Sequence, residues 1–175
     1  MTQPMYNLPD LIRSVPDYPI AGMVYRDMNP LLRHPAAFQQ VVDALVMRYK
    51  DRAIDAIVGI ESRGFILSSP LAYALGASLV PIRKFGKMPT PAYEVEYYLH
   101  LGSERLQMHK DAFERGARVV VCDDLISSGR TVAAACELVT MAGGEIEEVA
   151  CLLELHAPQG HAKLSGYPVF SLIQL

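Results

Sequence analysis

A chain of 175 residues is long enough for one α/β domain with a substantial core and too short for two of full size. Hydrophobic residues make up 51% and charged residues 20%, which excludes a disordered chain, and a net charge of -3 argues against nucleic acid as the main partner. The start of the chain lacks a secretory pattern, no apolar run approaches the roughly 18 residues of a spanning helix, and three isolated cysteines suit reduced thiols, so a cytoplasmic protein with no membrane partner is expected.

The hydrophobic pattern alternates between short β-type runs and helical stretches, which predicts an α/β fold with a mostly parallel sheet. Residues 1–34, which are rich in proline and aspartate, are interpreted as an appendage to a core of residues 35–175. A helix is predicted to begin at Pro35, because apolar residues recur after it at helical spacing.

The first predicted crossover unit has a strand at 56–60, a polar loop at 61–64 and a helix that ends at Gly76. The inward stripe of that helix is predicted to consist of Leu67, Leu71, Ala74 and Leu75. A strand at 78–83 follows. Prolines and a glycine then predict an irregular basic loop at 84–91, with a short hairpin up to Leu101.

The second half of the chain contains the best-defined unit. An apolar strand is predicted at 119–122, a turn at 123–129 and a helix at 131–141. The predicted inward face of that helix consists of Val132, Cys136 and Val139. Further strands are predicted at 146–153 and 169–173, which completes the alternation of strands and helices.

Two adjacent carboxylates, Asp123 and Asp124, follow the apolar strand at 119–122. Open α/β sheets place ligands at the carboxyl ends of their strands. The next residues supply hydroxyls, small side chains and the N–H groups of a helix start, which together suit an anion: Ser127, Ser128, Gly129, Arg130 and Thr131. A ligand with a diol beside a phosphate would satisfy both halves, whereas an acidic turn before a capped helix is the structural alternative.

This stretch resembles the ribose 5-phosphate signature of the type I phosphoribosyltransferases. The resemblance implies their fold, a mostly parallel twisted sheet flanked by helices with a small N-terminal hood and a flexible loop or hairpin. Ser127 and Ser128 stand where many members have Ala-Thr, and Arg130 stands where glycine is usual. The arginine either points outward or adds charge at the phosphate, and the sequence leaves both options open.

The polar loop Glu61, Ser62 and Arg63 suits a pyrophosphate, because a guanidinium binds phosphate oxygens in a bidentate way. Taken alone, Arg63 suits a surface salt bridge equally well. The loop is similar to the pyrophosphate loop of adenine phosphoribosyltransferases, which implies a cis peptide near Glu61–Ser62. The same resemblance implies that the basic loop, with Arg83, Lys84 and Lys87, closes over the pyrophosphate instead of being a solvated basic loop.

The segment at 19–27 carries no signal of a site by itself, and a structural role is the default interpretation. It resembles the hood of adenine phosphoribosyltransferases, which implies that Val24 and Arg26 contact the base and that Tyr25 stacks on it. The family commonly has a glutamate after the basic loop that exchanges a proton with purine N7. Here His100 occupies that position, and a histidine is able to transfer protons, although a histidine at a strand edge is more often structural.

The resemblance implies an enzyme that joins the ribose 5-phosphate of phosphoribosyl pyrophosphate to adenine, giving AMP and pyrophosphate in purine salvage. Its expected catalytic residues are His100, Asp123, Asp124 and Arg63. Mg²⁺ is the expected cofactor, held mainly by substrate oxygens and water, and a homodimer is expected. Two alternatives remain, namely a hypoxanthine or guanine phosphoribosyltransferase, encouraged by His100, and a regulator that binds phosphoribosyl pyrophosphate without catalysis.

Overall fold

The computed structural model describes residues 5–89, 91–99, 102–155 and 163–175. It divides into two compact units, Met1–Met47 and Arg48–Leu175. Within the described ranges, no helix combines the length and the apolar character needed to cross a membrane.

The first unit contains a small antiparallel ribbon. A 3₁₀ helix, Leu8–Leu11, precedes β1 (Arg13–Pro16), which pairs with β2 (Val24–Asp27). The short helix α1 (Asn29–Leu32) and most of α2 (Pro35–Tyr49) follow, so the helix predicted to begin at Pro35 is confirmed. The buried residues of α2 recur every four positions, as expected for one inward face: Ala37, Val41, Leu45 and Tyr49.

The second unit is a seven-stranded sheet with helices between its strands. Its elements are β3 (Ala56–Ile60), α3 (Gly64–Leu75), β4 (Ser78–Lys84), β5 (Ala92–Leu99), β6 (Gly102–His109), β7 (Arg118–Ile126), α4 (Arg130–Met141), β8 (Glu145–Glu154) and β9 (Val169–Gln174). The strand order is β5-β6-β4-β3-β7-β8-β9. Strands β4, β3, β7, β8 and β9 are parallel, whereas β6 is antiparallel to both β4 and β5, which confirms the mostly parallel α/β sheet.

The centre of the sheet is apolar on both faces. Every residue of β3 is buried, and so are residues 119–122 of β7, which is typical of a parallel strand covered by helices. The predicted inward face of α4 is confirmed, because Val132, Cys136 and Val139 are buried. This core holds the carboxyl ends of β3 and β7 side by side, with Gly59 in register with Cys122.

Three sequence predictions about these elements need correction. β7 does not turn at residue 123 but continues to Ile126, because Leu125 and Ile126 pair with residues 153 and 154 of β8. The hairpin is longer than predicted, since its second strand, β6, runs to His109. On α3, Ala74 is exposed and Ala72 is buried in its place, because the helix presents residues 67, 68, 71 and 72 to the interior.

Candidate active site

A cavity of about 400 Å³ lies at the carboxyl ends of the parallel strands of the second unit. This is the position in which open α/β sheets bind ligands. The residues that line it come from the loop after β3, from β4, from the β5–β6 hairpin and from the turn between β7 and α4. Among them are the predicted site residues Glu61, Ser62, Arg63, Lys84, Asp123, Ser127, Ser128, Gly129, Arg130 and Thr131. The fold therefore brings residues that are about sixty positions apart into one cavity.

The acid pair lies near the end of β7. Asp124 is buried and Asp123 is partly buried. Burial raises the pKa of Asp123 and the neighbouring Asp124 carboxylate raises it further, while burial also raises the pKa of Asp124 against the opposing effect of the Arg63 guanidinium. Arg63 Nε lies 3.1 Å from Asp124 Oδ2, and the backbone N–H of Asp124 donates to Asp123 Oδ1 over 2.9 Å.

Asp124 Oδ1 is buried and accepts no hydrogen bond from the described residues. A buried carboxylate oxygen without a donor is costly, because it has lost its water without gaining a partner. The hydroxyl groups of a bound sugar are donors of the kind that this oxygen lacks. The acid pair is therefore suited to a ligand that brings its own hydroxyls.

The turn after β7 is shaped for an anion. Gly129 has a left-handed conformation, with φ 68° and ψ -4°, which glycine adopts without a steric penalty. It caps α4, and no side chain bonds to the helix start, so the first N–H groups of the helix are left for another acceptor. Hydroxyls of the neighbouring Ser127, Ser128 and Thr131 supply further donors at the cavity wall.

The loop after β3 contains a cis peptide bond between Glu61 and Ser62, which confirms the prediction made from the family resemblance. The first residue of α3, Gly64, packs against the end of β7. A Cβ atom on Gly64 would lie 2.8 Å from the carbonyl oxygen of Cys122 and 3.0 Å from Asp123 Oδ1. Only a glycine allows this close approach, which sets the loop beside the acid pair.

Glu61 contacts three basic residues that lie beside it in the folded chain. Its carboxylate accepts from Arg83 Nε at 3.2 Å, from the backbone N–H of Lys84 at 2.8 Å and from Lys87 Nζ at 2.7 Å. Burial by itself raises the pKa of Glu61, but the Lys87 ammonium, the Lys84 N–H and Arg83 together lower it to about 2. Glu61 is thus an anion at every physiological pH, and it holds the predicted pyrophosphate ligands Arg83 and Lys87 next to the loop.

The hairpin forms a wall of the cavity that sequence reasoning missed. Tyr97 and Glu104 face each other across β5 and β6, and the Tyr97 hydroxyl donates to Glu104 Oε2 over 3.2 Å. Lys84 Nζ lies 2.9 Å from the same oxygen. Burial raises the pKa of Tyr97 to about 12, so its hydroxyl stays protonated and acts as a donor. The alternation of charged and apolar residues in Glu94-Val95-Glu96-Tyr97 was the sequence signal that could have revealed this wall.

Some predicted site residues are not among those that line this cavity. Val24, Tyr25 and Arg26 belong to β2 in the first unit, where Tyr25 packs edge-on against Tyr18 with ring centroids 5.4 Å apart. Arg26 donates to the Ser14 hydroxyl. His100 lies outside the described residues.

Magnesium would fit this cavity only with oxygens from a substrate. In the described part of the chain, no three histidine, cysteine, aspartate or glutamate side chains are grouped as ligands for a metal ion. Two of the carboxylates at this site already face cations, since Glu61 binds Lys87 and Asp124 binds Arg63. A cation that keeps several waters and takes its other ligands from phosphates matches such a site.

Comparisons with known proteins agree with the geometry of this site. Residues 27–174 match the family model described as the phosphoribosyl transferase domain. The fold and the cavity therefore define the class of protein as a phosphoribosyltransferase, an enzyme that transfers a pentosyl group.

Individual relatives identify the family within that class of enzymes. The chain is 57% identical over 168 residues to adenine phosphoribosyltransferase from Roseiflexus castenholzii, covering 96% of this chain and 98% of that protein. The crystal structure of adenine phosphoribosyltransferase from Thermoanaerobacter pseudethanolicus matches with a TM-score of 0.92 and 39% identity, over 96% of this chain and 98% of that one. The enzyme from Saccharomyces cerevisiae, complexed with an imino-altritol bisphosphate and adenine, matches with a TM-score of 0.89 and 37% identity, over 94% and 96% of the two chains. The chain belongs to the adenine phosphoribosyltransferase family.

Proposed function

We propose that this enzyme transfers the 5-phosphoribosyl group of phosphoribosyl pyrophosphate to N9 of adenine, giving AMP and pyrophosphate. The names of its relatives and the adenine bound to the Saccharomyces cerevisiae enzyme support this substrate. The single observation that carries the proposal is one cavity lined by Asp123 of the acid pair, by the turn after β7 and by the basic residues Arg63 and Lys84. Each of these parts matches one portion of phosphoribosyl pyrophosphate.

The acid pair and the turn after β7 would hold the ribose 5-phosphate. The turn, with Ser127, Ser128 and Thr131, would bind the 5-phosphate through hydroxyl and backbone N–H groups. Asp123 and Asp124 would accept hydrogen bonds from the ribose hydroxyls. Their negative charge would also favour the oxocarbenium-like transition state that forms as the bond from C1 to pyrophosphate breaks.

The leaving pyrophosphate would be stabilised by the basic residues of the opposite wall. Arg63 offers a guanidinium that matches phosphate oxygens, and Lys84 and Lys87 add positive charge. Lys87 is half-exposed and its ammonium lies 2.7 Å from Glu61 Oε1, so it is able to move from the protein surface onto a phosphate. Mg²⁺, held by substrate oxygens and water, would neutralise charge on the same group.

The base would be bound by the first unit. We assign residues 1–34 the role of a hood over a core of residues 35–175, in which Val24 and Arg26 contact the adenine edge and Tyr25 stacks on the ring. His100 would exchange a proton with the purine. A homodimer in the cytoplasm completes the proposal, in keeping with the family resemblance.

A direct assay with three bases tests this proposal. The protein is incubated with Mg²⁺ and phosphoribosyl pyrophosphate, and adenine, hypoxanthine and guanine are offered separately while nucleotide formation is followed. We expect AMP to form fastest. Faster use of hypoxanthine or guanine would contradict the choice of base, and binding of phosphoribosyl pyrophosphate without any turnover would point to the regulator instead.

A pair of variants tests the role of the acid pair in the same assay. Asp124→Asn should lower kcat/KM for phosphoribosyl pyrophosphate by about 10²-fold, because it removes a charge that faces the reacting sugar. The control is Asp55→Asn, which changes an aspartate at the opposite end of the sheet whose carboxylate accepts from the Arg118 N–H over 2.7 Å. Equal activity of the two variants would remove Asp124 from the mechanism.

A further inference from the structure

Arg130 begins α4 immediately after Gly129, so its backbone belongs to the turn that suits a phosphate. Its side chain points elsewhere. Nη1 of the guanidinium donates to the carbonyl oxygen of Tyr98 over 2.9 Å, which links the start of α4 to β5 of the hairpin. The charge of Arg130 is therefore engaged by the hairpin backbone.

The accepting carbonyl belongs to an edge strand. β5 is the last strand in the sheet order, and among the described residues it pairs with β6 alone. The Tyr98 side chain is 66% exposed and so contributes little to holding the strand in place. A charged donor from α4 therefore adds a contact to a strand that the sheet supports on one side.

Packing between β5 and α4 leaves space at this point. A groove of about 420 Å³ lies between the two elements, and Tyr98, Arg130, Ala133 and Glu137 are among the residues that line it. Arg130 also lines the main cavity, together with Leu99, the residue that follows its hydrogen-bond acceptor.

We propose that Arg130 is a positioning residue that ties the hairpin wall of the cavity to the phosphate-binding turn, so that a ligand in the turn also orders the hairpin. This inference rests on the proposed function, because it takes the turn to be the 5-phosphate site. An arginine that bridges two elements couples them, since ordering one end fixes the position of the donor for the other.

Hydrogen exchange with ribose 5-phosphate tests the coupling without requiring turnover. Amides of β5 are followed by mass spectrometry in the absence and in the presence of saturating ribose 5-phosphate. In the wild type we expect the ligand to slow exchange in β5 about five-fold or more. In Arg130→Ala at saturation this protection is lost, and in Arg130→Lys, which keeps one charged donor on a flexible stem, it is partly restored.

Kinetics provide the second readout. In Arg130→Ala, kcat for AMP formation should fall by about 5- to 10-fold, while KM for phosphoribosyl pyrophosphate changes less than kcat. The matched control is Arg118→Ala, which removes an arginine that is paired with Glu147 at the other end of β7 and should behave as the wild type.

Three results would overturn the inference. The first is wild-type β5 that gains no protection from ribose 5-phosphate, and the second is Arg130→Ala that keeps the full protection. The third is an Arg130→Ala protein whose affinity for ribose 5-phosphate falls more than ten-fold while β5 is still protected at saturation. Arg130 would then be a direct phosphate ligand. None of these depends on adenine turnover, so failure here is separate from failure of the proposed reaction.

Discussion

At the scale of single residues, the cavity places carboxylates of two kinds close together. Glu61 is surrounded by donors from Arg83, Lys84 and Lys87, and its pKa falls to about 2. Burial instead raises the pKa values of Asp123 and Asp124, and the Asp124 carboxylate raises that of Asp123 further. A carboxylate saturated by cations is a poor acceptor for a substrate hydroxyl, whereas the acid pair retains a buried oxygen without a donor. The first kind organises the basic residues, and under the proposed function the second accepts from the hydroxyls of the sugar.

Glu61 should make stability depend on pH. Its folded pKa of about 2 lies below the ordinary value of 4.5, so its ionised form stabilises the fold above about pH 4.5, and this contribution is lost as the pH falls towards 2. Urea unfolding at pH 7 should therefore give a higher free energy of unfolding for the wild type than for Glu61→Gln. The difference between the two proteins should be smaller at about pH 3. The control is Glu137→Gln on the exposed face of α4, and a difference for Glu61→Gln that does not change with pH would contradict the ion-pair assignment.

His100 offers a second test at this scale. If it transfers a proton to or from the base, His100→Ala should lower kcat by about 10²-fold while leaving the affinity for phosphoribosyl pyrophosphate nearly unchanged. Initial rates give kcat, and isothermal titration gives the affinity. Unchanged turnover would show that His100 has no part in proton transfer.

At the scale of elements, the site depends on how closely α3 approaches β7. The helix begins at Gly64, directly over the Cys122 carbonyl and the Asp123 carboxylate, and this contact sets the loop after β3 beside the acid pair. The same strand leads through Ile126 into the turn and α4. The end of β7 therefore supports two loops that are far apart in the chain.

Gly64→Ala should disturb both the fold and the reaction. The added Cβ would lie 2.8 Å from a backbone oxygen that cannot move aside freely, so we expect a loss of about 1–3 kcal/mol in the free energy of unfolding and a lower kcat/KM for phosphoribosyl pyrophosphate. Gly166→Ala is the matched control, because a Cβ there meets no atom within 4 Å. Denaturant unfolding of both variants measures the effect, and equal stability would show that α3 is able to shift without cost.

At the scale of the whole molecule, ligands that bind the folded chain should stabilise it by mass action. At about one hundred times its dissociation constant a ligand contributes about 2.7 kcal/mol, which corresponds to a rise of about 5–10 °C in Tm for a chain of this size. Ribose 5-phosphate should raise Tm with or without Mg²⁺. Phosphoribosyl pyrophosphate should raise it less once EDTA has removed the metal, because the metal neutralises the pyrophosphate. Thermal unfolding scans measure both shifts, and an EDTA-independent shift would show that the basic residues suffice without the metal.

The alternation of apolar runs determined the order of strands and helices, because the central parallel strands β3 and β7 are buried on both faces and the helices pack mainly through one. Val119 to Cys122 identified the strand that precedes the acid pair, and Gly76 identified the end of α3. The candidate site could be predicted for the same reason, since Asp123 follows the apolar run of β7 and Arg63 lies in the loop after β3, so both lie at the same edge of the sheet. The chemistry of the candidate site could be predicted from motifs whose residues are close together in the chain.

Only the tertiary structure decided the contacts between segments that are distant in the chain. The end of β7 at Ile126 depends on pairing with β8, and the wall formed by Tyr97 and Glu104 depends on the register of the hairpin. The sequence likewise did not determine the direction of the Arg130 side chain, which depends on the acceptor that Tyr98 provides. Local sequence patterns report which side chains avoid water, but pairing register and the choice of a hydrogen-bond partner are set by neighbours that the pattern does not identify.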